Sequence, residues 1–148
     1  MIRRMVEKDL PRILELEDQL FTSKWTYEQY LYELHENEFS QLYVFEIGSK
    51  IVGYLGLWLT FDIAQITTLG IDKEYQGNGY AKQLLNKLVE VANQAMCETI
   101  MLEVRVSNTR AIKLYKNFDF IEMSRRKNYY TDNNEDAIVM VKALGGNW

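Results

Sequence analysis

Apolar residues in this chain recur with two periods, and the switches between them mark out its elements. Leu84, Leu85, Leu88 and Ala92 repeat at helical spacing and predict an amphipathic helix over 79–95. Directly before it, Ile63 to Ile71 is an apolar, β-rich run that reads as a strand. Directly after it, Thr99 to Val106 alternates: Ile100, Leu102, Val104 and Val106 share one face, and Met101, Glu103 and Arg105 the other. Upstream, residues 2–6 read as a short strand. Asp9 is the N-cap, with Pro11 in the first turn, of a helix through about Phe21, and Thr26 caps a second helix over 27–36. Leu42 to Ile47 and Ile51 to Thr60 read as a hairpin turning at Gly48-Ser49-Lys50. Downstream, Asn108 opens a helix to about Phe118. Two strands follow, 119–130 and 136–144, joined by Thr131-Asp132-Asn133-Asn134. The order β-α-α-β-β-β-α-β-α-β-β predicts an α+β fold with a mostly antiparallel sheet and one crossover helix between the fourth and fifth strands.

The junction of the third long strand with its helix reads Tyr75-Gln76-Gly77-Asn78-Gly79-Tyr80-Ala81-Lys82. A strand, a small-residue turn and a helix start make a ready anion site. The first helical N–H groups have no partner within the helix, and the dipole favours negative charge there. The segment reads equally as an ordinary strand-to-helix turn with capping glycines. Its spacing excludes two alternatives: Lys82 stands where a dinucleotide fingerprint needs its third glycine, and no G-x-x-x-x-G-K-[ST] run is present.

Composition narrows the field. A chain of 148 residues, 47% hydrophobic and 13% aromatic, is the size of one domain, spanning 1–148, with enough apolar mass for a core. Its three Trp and ten Tyr suit an aromatic-lined cleft, although core packing accounts for most aromatics. A net charge of -4 argues against a nucleic-acid partner and suits a cationic one, such as an amine or a basic peptide. With Cys97 the only cysteine and His35 the only histidine, disulfides, cysteine zinc sites and His-based triads are not expected, and no metal is. Cys97 reads as a small buried hydrophobe and His35 as a surface residue. No apolar run of membrane-spanning length and no signal-peptide core is seen, so a cytoplasmic location is expected. The tail Gly145-Gly146-Asn147-Trp148 carries no readable signal; Trp148 is either free or docked.

Three side chains could carry chemistry. Glu103 is a carboxylate in a Val/Ile-rich strand, where propensity disfavours it. It reads as a general base facing a cleft, or as part of a solvated face, salt-bridged to Arg105; periodicity alone favours the latter. Asn108 is a good helix N-cap. Tyr115 lies two turns into that helix, on the face of Ala111, Ile112 and Phe118, where a tyrosine is ordinarily core.

These motifs resemble one family. Gln76-x-x-Gly79-x-Ala81 is similar to the acyl-CoA pyrophosphate loop of the GNAT N-acetyltransferases, and it sits mid-chain, after a strand, at a helix start. The run Leu102-Glu103-Val104-Arg105-x-Ser107-Asn108-x-x-Ala111-Ile112-x-Leu114-Tyr115 resembles their ribosomal-protein-alanine branch. So do Arg125-Arg126-Lys127-Asn128-Tyr129-Tyr130 with Glu135-Asp136-Ala137, and Phe21…Trp25. The resemblance covers nearly the whole chain. It implies a six- to seven-stranded mixed sheet, flanked by about four helices and splayed between its fourth and fifth strands. It implies acetyl transfer from acetyl-CoA to the N-terminal amine of a protein, ribosomal in that branch. Glu103 would be the base and Tyr115 the acid. Leu69, Gly70 and Ile71 would pair with the pantetheine arm; by the residues alone, Gly70 suits a bulge or a close backbone approach. Gln76, Gly77, Asn78, Gly79, Tyr80, Ala81, Lys82 and Asn108 would hold the rest of the cofactor. Two positions depart from the family: Asp119 stands where it has Gly, and Thr131 where it commonly has Pro. A small-amine, polyamine-like acetyltransferase and a non-catalytic acyl-CoA-binding module are the alternatives to a protein acetyltransferase.

Overall fold

A computed structural model gives the architecture and describes residues 1–145; Trp148 and the rest of the tail lie outside the described residues. Seven strands, β1 (Ile2–Arg4), β2 (Ser40–Ile47), β3 (Lys50–Thr60), β4 (Ile63–Ile71), β5 (Thr99–Arg105), β6 (Ile121–Tyr130) and β7 (Glu135–Ala143), form one sheet in the order β1-β2-β3-β4-β5-β7-β6. Every pairing is antiparallel except β4 with β5. Four helices cover it: α1 (Leu10–Leu20), α2 (Tyr27–His35), α3 (Tyr80–Gln94) and α4 (Thr109–Asn117). The element order is the one the periodicity predicts. Strand order is not legible in that way, since β7 comes last in sequence yet slots between β5 and β6.

Helices lie on both faces, so the central strands are buried on both. On β2, Leu42 and Val44 pack with Leu10, Ile13 and Leu16 of α1 and Tyr30 of α2. The alternate residues Tyr43 and Phe45 pack with Leu84, Leu85 and Leu88 of α3. This is why β2 and β3 read as near-continuous apolar runs rather than as alternation. Leu84, Leu85 and Leu88 are fully buried, and each such burial contributes about 1.5–3 kcal/mol.

Local signals act unevenly. Thr26 caps α2 as expected, accepting from Gln29 N at 3.1 Å while Gln29 Oε1 accepts from Thr26 N at 2.8 Å. Asp9 precedes α1, but its carboxylate is used elsewhere. It accepts from Val6 N at 2.8 Å and takes both prongs of the Arg3 guanidinium, closing a 3-10 turn at Glu7–Asp9 that shortens the first strand. The first hairpin turns on Gly48 and Ser49 alone, with β3 already under way at Lys50. Asp119 has φ +69, so it takes up the left-handed turn otherwise given to Gly. Cys97 is buried and His35 is half exposed, as the sequence suggests.

The break in the sheet positions everything that follows. β4 and β5 are in register only at Ile63 with Thr99, Ala64 with Ile100 and Gln65 with Met101. Beyond this, β4 continues to Ile71 and β5 to Arg105 with no pairing between them among the described residues. The cause lies in β4 itself. The β3–β4 register shifts at Gly56/Leu57, leaving Thr67 as the extra residue of a bulge, and a bulge bends and twists its strand. The bulge is thus at Thr67, not at Gly70. Gly70 stays in register with Tyr54, and its role is close approach: a Cβ there would lie 2.9 Å from Tyr54 ring atoms and 2.9 Å from Leu20 Cδ1.

Candidate functional site

Two cavities open into the gap between the diverging strands. One, about 720 Å³, runs from the α1–α2 connection (Phe21, Thr22, Ser23, Trp25) past β4 and β5 to Tyr129 and Tyr130 of β6. The other, about 500 Å³, lies over Leu69, Gly70 and Ile71 at the end of β4 and the start of α3. They share Leu20, Phe21, Leu69, Asn108, Ala111 and Tyr115, so they meet at Tyr115.

In the smaller cavity, Gly77 (φ +84) and Gly79 (φ +82) both take the left-handed conformation, and a Cβ at either would meet only open space. These glycines are therefore required by backbone angle rather than by crowding. Gly79 is the N-cap of α3, whose first helical bond is Gln83 N to Gly79 O at 3.2 Å. The N–H groups of Tyr80, Ala81 and Lys82 precede that bond and are free for a ligand. Gln76 braces the loop: its Nε2 donates to Ile71 O at 2.9 Å and its Oε1 accepts from Arg110 Nη1 at 2.7 Å. Asn78 turns its amide back onto Tyr75 O at 3.0 Å. Lys73, Lys82 and Arg110 supply cations around this cavity, which suits polyanionic phosphate. Arg110 falls at an unassigned position of the motif read in the sequence, and its contact with Gln76, 34 residues away, reveals its place.

Glu103 lines the larger cavity, and its side chain is only 14% exposed. The solvated outer face that periodicity favours is therefore not where it sits, because α1, its connection to α2 and β6 roof that side of the sheet. Nor does it pair with Arg105. Its neighbour is Arg126 of β6, with Nε 3.2 Å from Oε2, out of hydrogen-bond alignment, so that this buried oxygen has no hydrogen-bond donor. Arg105 instead engages Asp132 and Glu135. Tyr129 lies beside Glu103; burial, and then that negative neighbour, push its phenol up.

Tyr115 is 7% exposed and packs edge-on against Phe120 at 5.6 Å. Burial, and then the proximity of Tyr130, raise its phenol well above the ordinary tyrosine range, so it holds its proton at neutral pH. Asn108 acts as the N-cap of α4, accepting from Ala111 N at 3.2 Å, while also lining both cavities. The fold thus brings Glu103, Tyr115, Asn108, Leu69–Ile71 and the glycine loop to one gap. Trp25, Tyr129 and Tyr130 join them, and only the resemblance marked their segments. No group of residues able to hold a metal ion occurs among those described, and no described helix is long and apolar enough to cross a membrane.

Comparison with known proteins places the arrangement. The acetyltransferase (GNAT) family matches residues 10–120. A Bacillus subtilis protein, provisionally named a ribosomal protein bS18-alanine N-acetyltransferase, is 40% identical over 139 residues, covering 94% of this chain and 92% of that one. The crystal structure of the ribosomal-protein-S18-alanine N-acetyltransferase from Escherichia coli superposes with a TM-score of 0.89 at 28% identity, covering 100% of this chain and 97% of that one. Arabidopsis thaliana Naa50, solved with the bisubstrate analogue CoA-Ac-MVNAL, superposes with a TM-score of 0.82 at 27% identity, covering 97% of each chain.

Proposed function

This chain belongs to the acetyltransferase (GNAT) family, and we propose that it acetylates the N-terminal α-amine of a protein, the N-terminal alanine of a small-subunit ribosomal protein, using acetyl-CoA. The observation that carries this reading is the meeting of two cavities at Tyr115, one with a helix start whose first N–H groups lack helical partners and the other with a buried carboxylate. The residues fit the cofactor. The N–H groups of 80–82, with Lys82 and Arg110, face where pyrophosphate would lie. The unpaired edge of β4 at Leu69, Gly70 and Ile71 offers the pantetheine amides a strand to join.

Chemistry then follows from what each residue can do. An α-ammonium has a pKa near 8, so most of it must lose a proton before attacking. Glu103 Oε2, lacking a hydrogen-bond donor, takes that proton directly or through a water. The freed amine attacks the thioester carbonyl, and a β4 backbone N–H stabilises the oxyanion. As the carbon–sulfur bond breaks, the attacking nitrogen releases its second proton to water and Tyr115 donates a hydrogen bond to the departing thiolate. Its burial makes full proton transfer uphill, so its contribution is charge stabilisation more than acidity. Glu103 is the carboxylate that faces the acceptor cavity without a hydrogen-bond donor, while Arg105 in the same lining is engaged by Asp132 and Glu135, which suits a cationic terminus.

Thiol release from acetyl-CoA tests the proposal. Peptides starting with Ala, Ser or Gly, their N-blocked forms, and polyamines are each offered to the enzyme. Release only with free peptide N-termini, Ala first, is expected. Release with polyamines alone would move the chain to the small-amine class, and binding of acetyl-CoA without any release would make it a non-catalytic module.

A further inference from the structure

The acceptor cavity has a roof made of two segments that no backbone ladder joins. One is the α1–α2 connection, carrying Thr22, Ser23 and Trp25; the other is the end of β6 at Tyr129 and Tyr130, which runs directly into the β6–β7 turn at 131–134. A single side chain, Arg105 at the end of β5, reaches both. Its Nη1 donates to Asp132 Oδ1 at 3.1 Å, to Asn133 Oδ1 at 3.2 Å and to Glu135 Oε1 at 3.3 Å. Its Nη2 donates to Asp132 Oδ2 at 2.9 Å and to Ser23 Oγ at 3.4 Å. Its Cζ lies 3.9 Å from the centre of the Tyr130 ring. Asp132 passes the tie on, because Thr22 Oγ1 donates to its Oδ2 at 3.0 Å. Glu135 carries it to the start of α4, accepting from Ser107 N at 2.7 Å.

A guanidinium is suited to this task. It is planar, always charged, and donates in a fork while its face stacks on an aromatic ring; an ammonium can do neither of the last two. Arg105 follows Glu103 by two residues on the same face of β5, so whatever it holds is held relative to that carboxylate. Tyr130, which it stacks on, stands beside Tyr115.

We propose that Arg105 is a positioning residue for the acceptor. It locks the α1–α2 connection to the β6–β7 turn and so fixes the width of the cavity above Glu103 and Tyr115. The proposal rests on the reading of the larger cavity as the seat of the acceptor amine. It makes Arg105 a determinant of how well an extended peptide is bound, and leaves cofactor binding outside its reach, since no Arg105 contact lies in the glycine-loop cavity.

The test uses the full chain with Arg105→Lys and, as a milder change that spares the fold, Thr22→Val. Amide hydrogen exchange is followed without substrates, and steady-state kinetics with an Ala-starting peptide and acetyl-CoA varied in turn. In Arg105→Lys, exchange at 21–25 and at 130–134 is expected to quicken together while the β2–β3 core is unchanged. Peptide KM should rise about tenfold, the scale of one or two lost charge-assisted bonds, with acetyl-CoA KM within about twofold. Thr22→Val should move the same two segments less. Unchanged exchange, or faster exchange in one segment alone, would overturn the proposal, as would a parallel rise in both KM values. Should the wild-type enzyme acetylate no peptide, the functional reading falls, and exchange still decides whether Arg105 couples the two segments.

Discussion

Arg126 Nε lies 3.2 Å from Glu103 Oε2, although β7 runs between their two strands. The arginine spans the intervening strand with its stem and leaves its own side chain 54% exposed. An ion pair without hydrogen-bond alignment, one partner open to water, is weakly held. An incoming ammonium can take the guanidinium's place beside the carboxylate. Glu103→Gln should therefore lower kcat by about 10²–10⁴-fold, the usual worth of general-base help, with acetyl-CoA affinity kept. Single-turnover rates and equilibrium binding check both halves; wild-type turnover would remove Glu103 from the mechanism.

Tyr115→Phe removes one hydroxyl and keeps the packing on Phe120. Turnover should fall about 10²-fold, the scale of one lost transition-state hydrogen bond, with little change in melting temperature. An unchanged kcat would exclude that hydrogen bond from the mechanism.

Gly79→Ala should weaken acetyl-CoA binding about tenfold. A left-handed conformation at φ +82 costs an L-residue about 1–2 kcal/mol, and with open space around the site the strain is purely backbone. Isothermal titration measures it. Asn, which tolerates this region better, should lose less.

Gly70→Ala should destabilise by about 1–3 kcal/mol through overpacking, because its Cβ would press on the buried Tyr54 ring 2.9 Å away. Urea denaturation reads this directly. A neutral result would mean that β4 can shift outward into the gap beside it.

Acid stability should depend on Glu135. Hydrogen bonds from Ser107 and Asn133, and then Arg105, lower its carboxyl from 4.5 to about 2. A depressed folded value means stability present above pH 4.5 and lost as pH falls from there towards 2. Its side chain is only 11% exposed, so water screens these ties little. Melting curves across that window should be shallower for Glu135→Gln than for the wild type.

Much of this fold is legible in the sequence because elements with one buried stripe or face announce their period. The stripe of α3 and the alternation of β5 are enough to assign Leu84 and Glu103 to their faces. Glu103's surroundings were hidden, because alternation names a face but not what covers it. The cover comes from α1 and from β6, far away in sequence. Asp9 misled for a related reason: a good cap in sequence was drawn to Arg3 instead. The bulge fell at Thr67 rather than at Gly70 because register is settled by the partner strand. Gly70 signalled crowding correctly, and crowding was the whole of its message.

The parted strands carry a last consequence. Past Gln65 and Met101, the facing edges of β4 and β5 leave each other without a partner, so there the sheet is an unfinished ladder. Acetyl-CoA, as the proposed co-substrate, would supply the missing rung, and a ligand that binds only the folded chain raises its stability with the logarithm of its concentration. The cell's acetyl-CoA supply would then govern how long the enzyme survives as well as how fast it works. Short of its co-substrate, the enzyme would be less stable by that increment.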